Sequence, residues 1–157
     1  HVYAARSSLP GMIKSRKGHF VQIVSAAALL SQIGDAAYSA TKHAAMGFAE
    51  SLAITHKSDG IDVSVVCPQY IATGMLGYEE DKIKTETNLM SVEELAEIVI
   101  PEIINKKFLI LPHPEVYKFM NFKSKCYDKW IDQMHKLRMK ALKEAGTLDL
   151  KTIHKLI

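Results

Sequence analysis

The stretch Ser25-Ala-Ala-Ala-Leu-Leu-Ser-Gln-Ile-Gly-Asp-Ala-Ala-Tyr-Ser-Ala-Thr-Lys42 follows directly on an apolar, β-like run, His19-Phe-Val-Gln-Ile-Val24. A hydroxyl thus stands at a strand end. A loop of small residues separates it from a phenol, Tyr38, and an amine, Lys42, at the start of a helix-like run. Residues four apart share a helix face, so Tyr38 and Lys42 point into the same space. An ammonium beside a phenol favours the phenolate, and a tyrosine so placed can pass a proton to or from a substrate oxygen. Ser25, brought alongside, can hold that same oxygen by hydrogen bonding. The three make a carbonyl/alcohol proton-transfer site; the plainer alternative is a surface Tyr–Lys helix pair.

Working outward, Asp35 is a candidate N-cap for a helix from Ala36 to about Lys57. Asp59-Gly60 signals a turn, and Ile61-Asp-Val-Ser-Val-Val-Cys67 follows as a β-branched strand stopped by Pro68. The first strand, about His19 to Ser25, is a continuous apolar run, as expected of a parallel strand covered on both faces. Strand, crossover helix and strand form a right-handed βαβ unit. Ser25 and Pro68 therefore sit at the carboxyl ends of their strands, the edge where open α/β sheets bind ligands.

Upstream, residues 1 to about 16 carry apolar positions at helical spacing, with Pro10-Gly11 a slight interruption, and Lys14-Ser-Arg-Lys-Gly18 is a solvated turn. His19 is expected at the surface. Downstream, Gly74 to about Met90 is polar and irregular, with the solvent-facing acidic run Glu79-Glu-Asp81. Ser91-Val-Glu-Glu94 is a capping box opening a helix to about Lys106, which Pro101 should kink or shorten. Phe108-Leu-Ile-Leu111 is a third strand. A long helical region then carries Val116, Phe119, Met120, Tyr127, Trp130, Ile131, Met134, Leu137 and Ala141 on one face. Lys118, Lys123, Lys125, Lys129, Lys136 and Lys140 mostly take the other, solvated faces. Such a helix could lie on a membrane, but packing on a core or at an interface is the favoured reading. Gly146 should close it, with a short extra helix in the tail.

Ser25, then Tyr38 thirteen residues on, then Lys42, within Tyr-Ser-Ala-Thr-Lys-His-Ala, resembles the active-site signature of the short-chain dehydrogenase/reductase family. The resemblance implies an α/β fold, a Rossmann-like doubly wound parallel sheet, of which about three strands and their helices, the C-terminal half, are present. Residues 1–157 would then be the C-terminal part of one domain, with about 114–157 a helical extension. The glycine-rich cofactor-binding half would be missing, and the stretch alone should not catalyse. By the same resemblance Tyr38 is the general acid/base, Lys42 tunes it and holds the nicotinamide ribose of NAD or NADP, and Ser25 orients the substrate oxygen. Pro68-Gln-Tyr-Ile-Ala-Thr73 resembles the family's Pro-Gly-x-Ile/Val-x-Thr loop along the nicotinamide, so Pro68, Ile71 and Thr73 join the cofactor-binding set; Gln69 stands where glycine is usual. Met75, Leu76 and Tyr78 fall where the family keeps a lid and are candidate substrate contacts, suited to a hydrophobic carbonyl or alcohol. Ala40, Ala44, Gly47 and Ser51, small residues on the Tyr38 helix, fit a homodimer or homotetramer interface or close packing within one subunit. The function implied is an NAD(P)-dependent oxidoreductase interconverting a carbonyl and a secondary alcohol. The alternatives are an inactive interaction or dimerisation module of the same fold and a related lyase or epimerase.

Composition sets the outer limits. The 157 residues suffice for one domain with a real core, and 48% hydrophobic with 24% charged residues suits a soluble globular protein. A formal charge of +3 gives no reason to invoke nucleic acid. Two cysteines, Cys67 and Cys126, make no disulfide framework and favour a reducing, cytoplasmic setting. No apolar stretch reaches the roughly 18 residues of a membrane span. Seven histidines show no metal-ligand spacing, so no metal is expected.

Overall fold

The computed structural model describes residues 1–76 and 89–149. Among these, three parallel strands, β1 (Gly18–Ile23), β2 (Ile61–Val66) and β3 (Leu109–Ile110), form one sheet in the order β1-β2-β3. The helices are α1 (Val2–Ser15), α2 (Ala27–Leu30), α3 (Ala36–Thr55), α4 (Val92–Ile104), α5 (Pro114–Lys125) and α6 (Tyr127–Ala145). The α/β class and the parallel β1-α3-β2 unit stand as expected.

Alternation along β2 decides the layers. Val63, Val65 and Cys67 face α1 and α3, packing with Ala5, Met46, Ala49 and Leu52 in the main core. Val66 faces the other way, against Val99 of α4 and Ile110 of β3. β2 is buried on both faces because it is the central strand; Ile61, Val65 and Val66 are at most 1% exposed. β1 lies at an edge, and its Val21 and Ile23, on the face away from α3, are exposed.

Several boundaries differ from expectation. β1 ends at Ile23 rather than Ser25, although Val24 N still donates to Val66 O at 2.8 Å. The expected loop of small residues begins as a helix, α2: the Ser25 hydroxyl accepts from Ala27 N at 3.1 Å, and Ala27, Ala28 and Leu30 are buried. β2 and β3 are each shorter than the apolar runs that encode them. α4 has the full capping box, passes through Pro101 and ends at Ile104, before Lys106. The long C-terminal region is two helices, because Cys126 leaves helical geometry at φ −141°, ψ 61°. Gly146 closes α6 in the left-handed conformation. Gly60 before β2 has φ +78°, and a Cβ there would collide with the Arg16 carbonyl. The expected tail helix, beyond residue 149, and the acidic run lie outside the described residues.

Two side chains overturn their surface assignments. His19 is half-buried, with Nε2 2.8 Å from Ser64 Oγ. The Ser64 hydroxyl donates to Lys107 O at 2.7 Å, so the histidine ring supplies the proton of that contact. Lys123 is only 9% exposed: its Nζ donates to Leu29 O at 2.7 Å and lies 4.8 Å from the Trp130 ring centroid.

Candidate active site

The turn after β1 and the loop after β2 are tied together at their bases. Ala26 N donates to Pro68 O at 2.8 Å, and the Ser25 backbone hydrogen-bonds the Cys67 thiol group. Burial pushes the Cys67 thiol up to about 11, against this bond and the Lys42 charge, so Cys67 is a neutral core residue and no nucleophile. Because the Ser25 Oγ accepts from Ala27 N, its own O–H remains the donor toward a substrate.

Tyr38 sits in the first turn of α3, where its backbone N–H is taken up by the Asp35 carboxylate at 2.8 Å. Ser39 next to it is buried and fixes the preceding loop: Gln32 N donates to its Oγ at 2.7 Å, and that hydroxyl donates to Asp35 O at 2.9 Å. The Lys42 ammonium lies 5.4 Å from the centroid of the Tyr38 ring, so the shared helix face is as expected. Tyr70 lies nearby, its Oη accepting from Gln32 Nε2 at 3.2 Å. Burial holds the Tyr70 phenol above its usual range, with the Gln32 bond opposing and neighbouring Tyr38 reinforcing. Ser31, at the end of α2, takes φ 72°, ψ 151°, a region nearly confined to glycine that costs on the order of 1–3 kcal/mol.

A cavity of about 510 Å³ opens between these elements. Ser25, Tyr38, Ile71, Thr73, Met75 and Leu76 all line it. Lys42 and Pro68 do not line it, and Tyr78 lies outside the described residues. Sequence reasoning missed the opposite wall: Phe119 and Phe122 of α5, and Trp130, Met134 and Leu137 of α6. The apolar period of that region was visible, but nothing local says which surface it meets. It also missed His113, whose Nδ1 accepts from Gln69 N at 3.2 Å, 44 residues away. Burial holds the His113 ring below its usual range, while Glu115 and the Tyr70 backbone pull the other way. Among the described residues no cluster of side chains could hold a metal ion, and no helix is long and apolar enough to cross a membrane.

With this geometry, the match to known proteins is direct. A family model described as short chain dehydrogenase covers residues 1–84, more than half of the chain. The chain belongs to the short-chain dehydrogenase family. The match includes Ser25, Tyr38, Lys42 and the loop from Pro68 to Leu76, but not α4, α5 or α6. Epidermal retinol dehydrogenase 2 of Mus musculus is 35% identical over 126 residues, covering 78% of this chain and 39% of that protein. The chain thus spans about two fifths of the length of the first curated relatives it matches. Among solved structures, a short-chain dehydrogenase/reductase from Burkholderia phymatum in complex with NAD aligns with a TM-score of 0.67 at 21% identity, over 81% of this chain and 54% of that one. One from Sphingobium yanoikuyae in complex with NADPH aligns with a TM-score of 0.64 at 21% identity, over 82% of this chain and 50% of that one. At that identity the structures show the Rossmann-type fold of the family.

Proposed function

We propose that this chain supplies the proton-transfer and substrate-holding part of an NAD(P)-dependent oxidoreductase that interconverts a carbonyl and a secondary alcohol. One observation carries the reading: Ser25 and Tyr38 open onto one cavity while the Lys42 ammonium stands over the Tyr38 ring.

The residues present fit the nicotinamide end of such a cofactor. Ile71 and Thr73 reach the cavity from the carboxyl end of β2, offering apolar contact and a hydroxyl beside Ser25 and Tyr38. Lys42 offers ammonium donors suited to ribose hydroxyls. When bound, a nicotinamide dinucleotide supplies or accepts the hydride at the substrate carbon. Ser25 donates a hydrogen bond from its hydroxyl to the substrate oxygen and fixes its position. Tyr38 Oη gives a proton to that oxygen in the reductive direction and takes it back in the oxidative one. Lys42 supports the negative charge that grows on the Tyr38 oxygen as its proton leaves. Relatives named as retinol dehydrogenases favour an alcohol or its carbonyl as substrate.

The test is dinucleotide-dependent turnover of a panel of ketones and alcohols by the intact oxidoreductase that carries this chain and by its Tyr38→Phe variant. The variant is expected to lose about 10²–10⁴-fold in kcat/KM while still binding the dinucleotide. Undiminished turnover by the variant would remove Tyr38 from the mechanism. Dinucleotide binding without net redox turnover, but with elimination or epimerisation products, would favour the lyase or epimerase alternative. Neither binding nor turnover would leave an interaction module.

A further inference from the structure

The cavity is chemically lopsided. Ser25, Tyr38 and Thr73 supply hydroxyls on one side, where the strands end. The far wall is mostly hydrocarbon and aromatic, with Phe119, Phe122, Trp130, Met134 and Leu137 from α5 and α6 and Leu30 packed with Trp130; Gln133 is the polar side chain that α6 adds to it. Among the described residues, no Asp, Glu, Lys, Arg or His side chain lines it. Lys123 packs close to this wall but does not open onto it; its ammonium is committed to Leu29 O and to the faces of Trp130 and Tyr127. Of the further polar lining residues, Gln32 and Tyr70 are bonded to each other, and Ser31, Gln69 and Gln133 are uncharged. At about 510 Å³, the space is in the range that encloses a drug-sized ligand, roughly 300–1,000 Å³.

From this we infer that the site takes an uncharged substrate with a long or bulky apolar body, seated against Phe119, Trp130, Met134 and Leu137, and that α5 and α6 set its length. The placing of the oxygen at Ser25 and Tyr38 rests on the proposed reaction; the placing of the apolar body rests on the wall alone. A carboxylate or phosphate on that body would be buried with no counter-charge among the described residues, which disfavours it strongly. This apolar wall lies beyond the residues that the family model matches, so its reading does not rest on that match.

Trp130 gives the inference its own readout. It is the chain's one tryptophan, and it lines the cavity. Straight-chain methyl ketones of increasing length are titrated into the protein while tryptophan emission is followed, with Trp130→Phe identifying the signal. Affinity is expected to rise about fourfold per added methylene until the cavity is filled. Ketones of matched length ending in a carboxylate should bind at least about tenfold more weakly. Leu137→Phe narrows the far end and should move the tightest-binding ketone to a shorter chain. Leu137→Asp should abolish the gain with length, with circular dichroism confirming that either variant is folded. Affinities flat across chain length, or equal for ketone and keto-acid, overturn the inference. The titration needs no turnover. Tight binding of long ketones without reduction would keep the apolar site and sink the proposed reaction, whereas reduction of short ketones with no dependence on length would do the reverse.

Discussion

His113 holds the loop that follows β2 through a bond that needs a neutral ring. Its Nδ1 accepts from Gln69 N at 3.2 Å, and a doubly protonated imidazole has no lone pair to offer there. Gln69 is also the position where the family pattern has glycine, so this contact steadies the one backbone step at which the loop departs from the pattern. Burial holds the ring below the 6.5 of a free histidine. In the unfolded chain His113 therefore binds its proton first, as pH falls through about 6.5, and the folded state follows only at lower pH. Its contribution to stability is full above 6.5 and is lost as pH drops toward the folded value. The thermal midpoint should fall between about pH 7 and pH 5. His113→Asn keeps an acceptor near the Nδ1 position without titrating, so the fall should be shallower in the variant. Parallel curves for the two proteins would clear His113 of this role.

At the scale of elements, Lys123 joins the C-terminal helices to the side of the fold that carries Ser25 and Tyr38. Its ammonium caps the Leu29 carbonyl in the last turn of α2 and stands 4.8 Å and 5.4 Å from the ring centroids of Trp130 and Tyr127. Lys123→Met keeps the aliphatic stem but leaves that carbonyl without its charged donor. A loss of about 1–3 kcal/mol is expected, read as a lower midpoint in urea unfolding. An unchanged midpoint would mean that the contact adds nothing net. Lys123 also shows how far the sequence could be read. It lies seven residues after Val116 and seven before Trp130, on the apolar stripe itself, so periodicity already placed it inward; reading lysine as a solvated residue hid this. The strand before Ser25 and the helix that carries Tyr38 were legible because each carries a local cause: an apolar, β-like run for the one, and Asp35 as N-cap with the spacing from Tyr38 to Lys42 for the other. The break at Cys126 carries no glycine or proline, and α2 rests on four residues whose helicity comes from burial. The pairing of His113 with Gln69 and the far wall of the cavity are made by chain crossings that no local window contains.

At the scale of the whole molecule, α3 does two jobs with two faces. Met46, Ala49 and Leu52 enter the core, while Ala40, Ala44, Gly47 and Ser51 lie on the exposed side, and a Cβ built on Gly47 meets nothing within 4 Å. Among the described residues, close packing inside this chain is therefore not what keeps those residues small. A helix face left in water is usually charged, whereas this one is flat and nearly uncharged, the form that lets a second helix approach closely. The family resemblance puts another subunit there, and the protein is expected to be a homodimer or homotetramer. Light scattering on the purified protein should give two or four times the monomer mass. Ala44→Arg, at the middle of the flat stripe and far from the core, should lower that mass without changing the thermal midpoint of the separated subunit by more than about 0.5 kcal/mol equivalent. A wild-type mass equal to one chain would remove the interface, and the small residues on α3 would then need another explanation. An oligomer that survives Ala44→Arg would place the contact elsewhere, with the exposed Val21 and Ile23 of edge strand β1 the next surface to change.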